Sequence, residues 1–432
     1  MALLYSRPAV HTSFDTIRDD PKLKKVFDSP VPAVVIFPVS HPVGLSVIRC
    51  MREQPAPIVA VDFKPRSAGL FSREVTSLLV PHLYRDAETF MEGMLAIGKC
   101  FRERPVLFMV DDEDVFLSLK HQREFERYYR LPLSPWDIVE PIVDKGHLYR
   151  TCQKAGFPIP TTWFVSSLED LDRQRSEIEF PCIVKPTYST AFRQKFGVKA
   201  KRFDSFEPLR EFGKTVSEAK IDYVVQRFIE GPADELYTYA AYSDDNGEVV
   251  AGFMGRKLHQ FPPDFGTCRL GESLDDPELE RTGKWLLKIL RYRGISLTEF
   301  KRDGDGTFRL MELNPRPGDW PEHLSYRCGA NLVTAAYRAC VGLPQQSRRI
   351  TKFGRKWANL AEDMYYSVRG YKLFGYPEAH RGLIGWLGDV RGLTADAFFS
   401  WRDPVPAIVR FRGMWRDFAR REREWKTVGK IS

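Results

Sequence analysis

The sequence predicts an α/β protein whose first large unit is a parallel-sheet domain. Short apolar runs alternate with helical patterns over residues 31–144, which is typical of a parallel sheet covered by helices. Two hairpin patterns follow, at residues 235–254 and 295–318. From about residue 347 the chain becomes aromatic and basic, and it ends in a pattern with helical spacing.

Four short apolar runs are the predicted strands of the first domain. They are residues 33–39, 58–63, 78–81 and 105–110, with helices predicted at 45–53 and 86–101. In such sheets the carboxyl ends of the strands face the ligand crevice, so Gly44, Asp62 and the acidic run 111–114 are expected near a site. Alternatively, the acidic residues are only loop and helix-cap residues.

The second half alternates helices and strands less regularly. Helices are predicted at 145–156, 277–292 and 331–341, and strands at 180–186 and 223–229. From Pro406 onward, the large apolar residues fall near helical spacing and arginines fill the other faces. This helix either packs on its own protein or forms a peripheral membrane or partner surface.

Composition limits the function classes. The 432 residues allow two or three domains, and the net charge of +8 suits anionic substrates such as nucleotide phosphates. No nucleic-acid-binding motif, secretory signal or membrane-length apolar run is present. The seven cysteines include no CxxC pair. A reduced, cytoplasmic protein is therefore expected.

Residues 295–318 carry the strongest functional signal, because two β-type runs flank Asp-Gly pairs. If residues 305–306 form a two-residue turn, Glu299 faces Glu312 across the hairpin. If the turn lies at residues 303–304, the two glutamates share a sheet face but stand four residues out of register.

Opposed carboxylates repel each other, and a divalent cation between them removes that cost. Asn314 lies two residues beyond Glu312 and therefore on the same face of the strand. Two carboxylates and an amide oxygen are hard ligands that suit Mg²⁺ bound together with phosphates. The alternative is an exposed hairpin whose acidic groups are merely solvated.

Lys185 is the one charged residue of the apolar run FPCIVKP. A buried ammonium group is costly unless an anion pairs with it, so this lysine is a candidate for binding phosphate. Alternatively, its side chain extends along the strand and reaches water at the strand end.

Four motifs in this order resemble the ATP-grasp superfamily. They are Asp144-Lys145 followed by AGFPIPTTWF, then FPCIVKP, VVQRFIEG and LTEFKRDGDGTFRLMELNPRPG. Within the superfamily the chain is most similar to the carboxylate–amine ligases that include D-aspartate ligase. The resemblance covers most of the chain, from about Val34 to near Pro406. It is more specific for the fold and for ATP binding than for the substrate.

The resemblance implies four regions. They are an N-terminal arm (1–30), a pre-ATP-grasp α/β domain (31–144), a two-lobed ATP-grasp nucleotide-binding domain (145–345) and a C-terminal aromatic and basic, helical extension (346–432). It also implies ATP as the nucleotide, with Mg²⁺ or Mn²⁺ as its metal. The implied metal ligands are Glu299, Glu312 and Asn314.

The resemblance also assigns the remaining site residues. Lys145 and Lys185 match the two lysines that clamp the phosphates. Gln226, Phe228 and Ile229 match the segment that contacts adenine, and Glu235 is preferred over Glu230 for the ribose. Arg316 matches the arginine that faces the acyl phosphate. Arg256 and Lys257 lie where a basic residue meets the transferred phosphate; alternatively, they are a surface pair.

One segment departs from the family pattern. The family often closes over the phosphates with a glycine-rich loop, whereas TYSTAFRQKFGVKAKRF contains only Gly197. Its Lys195, Lys199 and Lys201 are expected to supply charge where other members use backbone amides.

The implied reaction joins a small carboxylic acid to an amine, with amino-acid or peptide-like substrates and an acyl-phosphate intermediate. The alternatives are transfer of the acyl phosphate to a non-amine acceptor and an ATP-binding protein without turnover. A homodimer and a peripheral membrane contact through the C-terminal helix are further expectations, and no nucleic-acid partner is expected.

Overall fold

The structure is a computed structural model that describes residues 8–263, 265–345 and 347–428. Its N-terminal sheet has five strands in the order β1-β4-β3-β2-β5, and every pairing is parallel. These strands are β1 (Ala9–Val10), β2 (Val34–Phe37), β3 (Ile58–Asp62), β4 (Thr76–Leu79) and β5 (Val106–Met109). The accompanying helices are α1 (Pro21–Phe27), α2 (Pro42–Met51), α3 (Ala87–Lys99), α4 (Asp112–Lys120), α5 (Gln122–Phe125) and α6 (Trp136–Val143).

The predicted parallel sheet is confirmed. Its central strands are buried on both faces, as expected when helices cover a parallel sheet. The expected N-terminal arm differs in its described part, which begins at residue 8. Strand β1 joins the sheet edge, and Ile17 and Phe27 are fully buried in this domain's core, so this stretch packs into the domain.

A small antiparallel lobe follows. Its strands have the order β6-β9-β7-β8, where β6 is Thr162–Val165, β7 Cys182–Pro186, β8 Lys201–Phe203 and β9 Tyr223–Arg227. Its helices are α7 (Lys145–Lys154), α8 (Leu168–Arg173), α9 (Ser189–Phe196) and α10 (Phe206–Glu218). The segment that was expected to form a phosphate loop contains helix α9. The fully buried side chain of Phe192 anchors this helix in the core of the lobe.

A large sheet forms the second lobe, with the main order β14-β13-β10-β11-β12-β16-β17 and with β15 paired to β11. Its strands are β10 (Leu236–Ser243), β11 (Val249–Phe261), β12 (Thr267–Ser273), β13 (Gly294–Arg302), β14 (Phe308–Asn314), β15 (Arg348–Arg349), β16 (Lys356–Ala358) and β17 (Leu393–Asp396). The helices are α11 (Pro277–Ile289), α12 (Pro321–Cys328), α13 (Leu332–Cys340), α14 (Leu360–Tyr365), α15 (Tyr371–Leu373), α16 (Gly382–Asp389) and α17 (Val405–Val428). Both predicted hairpins are present.

The C-terminal region is helical as expected, but it also contributes β15, β16 and β17 to the large sheet. Buried polar contacts fix it further: His259 Nδ1 lies 2.9 Å from Asp363 Oδ1, and the Trp386 indole N–H donates to Asp363 Oδ2 at 2.9 Å. Among the described helices, none is both long and apolar enough to cross a membrane.

Candidate active site

The hairpin of β13 and β14 turns through a three-residue loop, Gly304–Gly306. The Asp303 N–H donates to the Thr307 carbonyl at 2.9 Å, and Gly306 has a positive φ of 83°. Neither two-residue turn considered from the sequence is therefore correct. Lys301 consequently pairs with Arg309, one position away from the Leu310 that a turn at 305–306 requires.

A β-bulge restores the predicted pairing of the two carboxylates. Phe300 pairs with Leu310 and Glu299 with Glu312, so Met311 is the extra residue on β14. Without the bulge, Glu299 would pair with Met311, and Glu312 would lie on the opposite sheet face. The sequence-based register reached the right pair because a wrong turn length and a missed bulge compensate each other.

Charged groups surround these carboxylates. Lys257 Nζ lies 2.8 Å from Glu299 Oε1, and the Asn314 amide donates to Glu312 Oε1 at 3.1 Å. Burial alone would raise the pKa of Glu312, but the ammonium groups of Lys145 and Lys199 outweigh burial and lower it to about 2. Both oxygens of this carboxylate are therefore available as anionic ligands at neutral pH.

Lys185 lies in the small lobe, and no carboxylate of the described residues contacts it directly. Its side chain is only 8% exposed, and its Nζ donates to the Gln226 amide oxygen at 2.8 Å and to the Tyr149 hydroxyl at 3.3 Å. Burial lowers the pKa of Lys185 to about 7; Glu312 opposes this shift, and Lys145 adds to it. An anion bound beside this ammonium group would stabilise its charged form.

Tyr149 connects Lys185 to the bulge, a role that sequence reasoning missed. Its hydroxyl donates to the Met311 carbonyl at 2.7 Å, which is the carbonyl of the extra bulge residue. Its ring is fully buried on α7. The tyrosine thus joins the two lobes at the level of the glutamate pair. In the sequence it stands only as an apolar helix position, so no motif marked it.

Gln226 is fully buried and uses both ends of its amide within the protein. Its oxygen accepts from Lys185, and its nitrogen donates to Thr162 Oγ1 at 2.9 Å. These contacts favour a positioning role toward Lys185. Direct contact of Gln226 with adenine stays a prediction.

The other predicted adenine and ribose residues lie where the chain passes from the small lobe to the large sheet. Ile229 is buried, and the Phe228 N–H donates to the Pro181 carbonyl at 2.9 Å. The Phe228 ring lies 4.6 Å from the guanidinium carbon of Arg202. Glu235 is half-buried, whereas Glu230 is exposed. Their contacts with nucleotide stay predictions.

The three lysines around helix α9 differ in their surroundings. Lys199 lowers the pKa of Glu312 and therefore acts on the glutamate pair. Lys201 Nζ lies 4.3 Å above the Phe212 ring, which gives it an aromatic contact within the small lobe. Lys195 is exposed. Lys199 thus has an electrostatic effect on Glu312.

Arg316 meets the acidic run of the N-terminal domain. Its guanidinium forms a bidentate pair with Asp112, at 2.5 Å and 3.0 Å, and the carboxylate outweighs burial and raises the pKa of Arg316. Asp111 caps helix α4 by accepting from the Glu113 N–H. The cap interpretation is therefore confirmed for Asp111, whereas the position of the acidic run near a ligand site stays a prediction that the Asp112–Arg316 pair supports.

Arg256 does not reach the same face as Lys257. Successive side chains of a strand point to opposite faces, and Arg256 pairs with Glu272 at 3.2 Å on the face away from Glu299. The two basic residues therefore do not share a sheet face, and the expectation that both meet the transferred phosphate is corrected for Arg256. Of these two residues, Lys257 is the one that contacts Glu299.

Two further carboxylates were missed from the sequence. Asp319 follows Arg316 by three residues, and Glu322 lies in the first turn of α12. Burial raises the pKa of Asp319 to about 6 and that of Glu322 to about 7. Asp319 Oδ1 and both oxygens of Glu322 are buried without a hydrogen-bond partner. They follow a proline-rich loop with no sequence pattern that marks them.

Known proteins support the fold. No family model matches the chain. D-aspartate ligase of Enterococcus faecium (strain Aus0004) is 25% identical over 264 residues, which is 57% of this chain and 62% of that protein. The chain therefore spans less than two thirds of that relative.

Two solved structures are similar over most of their length. N5-carboxyaminoimidazole ribonucleotide synthetase in complex with ADP has a TM-score of 0.58 and 16% identity, covering 76% of this chain and 80% of that one. The chain has the ATP-grasp fold. A second ATP-grasp neighbour is the biotin carboxylase domain of Hydrogenobacter thermophilus 2-oxoglutarate carboxylase, solved with MgADP, ADP and bicarbonate. It has a TM-score of 0.58 and 16% identity, and it covers 75% of this chain and 73% of that one.

Proposed function

We propose that this ATP-grasp protein is an ATP-dependent carboxylate–amine ligase that releases ADP and phosphate. The observation that carries the proposal is the opposed pair Glu299 and Glu312, held in register by a bulge and surrounded by Lys145, Lys199 and Lys257. The D-aspartate ligase relative and the nucleotide complexes of the structural neighbours support it.

The metal set passes a chemical test. Glu299, Glu312 and Asn314 supply hard oxygen donors, and the lowered pKa of Glu312 keeps its carboxylate ionised. The described residues contain no cluster of three His, Cys, Asp or Glu side chains. The site therefore fits Mg²⁺ whose remaining ligands come from nucleotide phosphate and water, and bound Mg²⁺ would neutralise charge on the phosphoryl oxygens.

In the first step, an oxygen of the substrate carboxylate attacks the γ-phosphorus of ATP. The bond from that phosphorus to the bridging oxygen breaks, and ADP and an acyl phosphate form. Lys145 and Lys185 orient the phosphates and balance their charge. No protein nucleophile is required, because positioning and electrostatic stabilisation lower the barrier of phosphoryl transfer.

In the second step, the nitrogen of a neutral amine attacks the acyl carbon. The carbon–oxygen bond to phosphate breaks, inorganic phosphate leaves, and the nitrogen loses a proton as the amide forms. Arg316, fixed by Asp112, is the proposed partner of the carboxylate oxygen that carries negative charge during this step. The proposed substrates are amino-acid or peptide-like molecules.

Two alternatives to the ligase proposal differ from it in the product or in ADP release. Transfer to a non-amine nucleophile would preserve ADP release and change the product, whereas a non-catalytic ATP-binding protein would release no ADP. The glutamate pair favours turnover, because opposed, half-buried carboxylates repel each other unless cations lie beside them. A homodimer stays a prediction.

The proposal is tested by measuring ADP release with ATP and Mg²⁺ against a panel of amino acids. Each amino acid is offered as acid donor and as amine acceptor, and products are identified by mass spectrometry. Release that requires one acid, with a new amide mass, is the expected result. ATP binding without ADP release across donors and acceptors, including peptides, would contradict the ligase proposal.

A further inference from the structure

The positive charge of this protein is concentrated in its C-terminal segment. Residues 346–432 contain 18 Lys and Arg against 9 Asp and Glu, whereas residues 1–345 contain 47 against 48. The segment therefore carries more than the whole net charge of +8. Because the proposed nucleotide site lies outside this segment, that site does not account for the excess charge.

The same segment exposes large apolar side chains. Trp401 is 90% exposed, Trp415 56% and Phe411 51%. We define the C-terminal aromatic surface as Met364, Phe399, Trp401, Phe411 and Trp415.

These residues are connected in space. Met364, Phe399 and Phe411 line one shallow, largely apolar groove of about 240 Å³. The Trp401 ring packs edge-on against Phe399 with centroids 4.8 Å apart, and Trp415 packs edge-on against Phe411 at 6.1 Å. Trp386 also lines the groove. A continuous exposed apolar patch of this kind indicates an interaction site.

Helix α17 presents two distinct stripes along this surface. Met414 and Phe418 pack inward against the aromatic cluster around Tyr365, whereas Phe411 and Trp415 stay exposed. The sequence left open whether this helix packs on its own protein or forms an exposed surface. In the structure one face packs on the protein, and the neighbouring face is uncovered.

Arginines border the exposed stripe without protein partners. Arg412 and Arg416, each one position after an exposed aromatic residue, form no ion pair with any described residue. By contrast, Arg410 pairs with Glu362 and Asp417, both at 2.7 Å. The charge of Arg410 is therefore paired with carboxylates of the protein, whereas Arg412 and Arg416 are available to an external anion.

We propose that the C-terminal aromatic surface docks on an anionic lipid bilayer, with α17 lying in the plane of the interface. Aromatic side chains enter the boundary between headgroups and acyl chains, and flanking arginines reach the lipid phosphates. A second copy of the chain fits less well, because it would bring an equally positive segment against this one. This inference does not depend on the ligase reaction.

Vesicle co-sedimentation of the full chain tests the proposal. Vesicles of phosphatidylcholine with 30 mol% phosphatidylglycerol, roughly the anionic content needed for a strong surface potential, are compared with pure phosphatidylcholine. The protein is expected to bind the anionic vesicles and to be released from them by about 1 M salt. The double variants F411S/W415S and R412Q/R416Q are each expected to weaken the partition coefficient by roughly 10- to 30-fold.

Matched variants on other surfaces serve as controls. W285S changes another exposed tryptophan, and R123Q/R127Q removes two exposed arginines of the N-terminal domain. Both controls are expected to bind like the wild type, and unchanged thermal unfolding would show that every variant folds. Equal sedimentation of wild type and F411S/W415S would overturn the proposal. So would lipid-independent dimerisation that F411S/W415S abolishes, because the surface would then bind a second copy.

Discussion

Two buried lysines, Lys257 on the large sheet and Lys185 in the small lobe, differ in whether a carboxylate contacts the ammonium group. On the large sheet, Lys257 pairs with Glu299 at 2.8 Å, and this carboxylate outweighs burial and raises the pKa of Lys257. In the small lobe, Lys185 meets only the neutral Gln226 and Tyr149, and burial lowers its pKa to about 7. Among the described residues, a carboxylate therefore contacts the ammonium group of Lys257 directly, whereas none contacts that of Lys185.

This difference indicates where an anionic ligand would be stabilised. An ATP phosphate would supply the charge that Lys185 lacks, and the glutamate pair opposite would hold the accompanying metal. Tyr149 ties the two sides, because its hydroxyl contacts both Lys185 and the carbonyl of the bulge residue Met311. These contacts support the proposed binding of a negatively charged ligand between the two lobes.

The largest effect is expected from Glu312→Gln on the large sheet. Loss of one metal-binding carboxylate should lower kcat by roughly 10³-fold while circular dichroism and thermal unfolding stay unchanged. Glu218→Gln, which alters an exposed glutamate on α10, is the matched control. Near-normal turnover of the Glu312 variant would contradict the metal assignment.

The lysines themselves give the sharpest contrast in stability. Lys257→Met leaves Glu299 buried without its partner and should lower the free energy of unfolding by about 3 kcal/mol. Lys185→Met removes a buried charge that has no counter-charge in direct contact, so urea unfolding should show no loss of stability. Equal destabilisation by the two substitutions would remove the distinction between the lobes.

ATP binding should respond differently from stability at Lys185. Lys185→Met is expected to weaken ATP binding about 10- to 100-fold, because charge-assisted hydrogen bonds to the phosphates are lost. Lys185→Arg retains the charge and should lose less affinity. Titration calorimetry with ATP and Mg²⁺ measures both, and unchanged affinity of the Met variant would exclude Lys185 from the phosphate site.

A smaller effect is expected when Lys185 is given a carboxylate partner, which Lys257 already has. Gln226→Glu places a carboxylate on the Lys185 ammonium group and should raise the pKa of that lysine toward its ordinary value. Between about pH 7 and pH 9, ATP affinity of the wild type should fall as Lys185 loses its proton. The Gln226→Glu variant should lose much less over this range. Parallel pH profiles for the two proteins would contradict the account.

The smallest effect is expected at Arg256, which lies on the sheet face away from Glu299 and pairs with Glu272. Arg256→Gln should change kcat/KM by less than about threefold, as for a surface ion pair remote from the chemistry. A loss of kcat/KM comparable to that of Glu312→Gln would contradict the placement of Arg256 on the sheet face away from Glu299 during turnover.

The sequence predicted the large features because each has a local pattern. Apolar strands followed by helices indicated the parallel sheet, and the alternating runs around Asp-Gly indicated the hairpin that carries Glu299 and Glu312. The charged residue in FPCIVKP marked Lys185 for the same reason, since a lysine stands out in an apolar strand.

The missed features depend on distant contacts. The bulge at Met311 is fixed by Tyr149, which lies 162 positions earlier in the chain, and no local pattern encodes that contact. Gln226 could not be assigned to Lys185 because the two meet only after β7 and β9 pair. Helix α9 was missed because a family pattern suggested a loop, while the burial of Phe192 favours a helix.

Proton uptake on ATP binding at pH 8 tests the central claim most directly. At this pH the lowered pKa of about 7 leaves Lys185 mostly neutral in the free protein. A bound phosphate should restore its charge, with uptake of about one proton per ATP. Calorimetry in two buffers of different ionisation enthalpy measures this number. We predict uptake by the wild type and none by Lys185→Arg, whereas no uptake by the wild type would contradict the account.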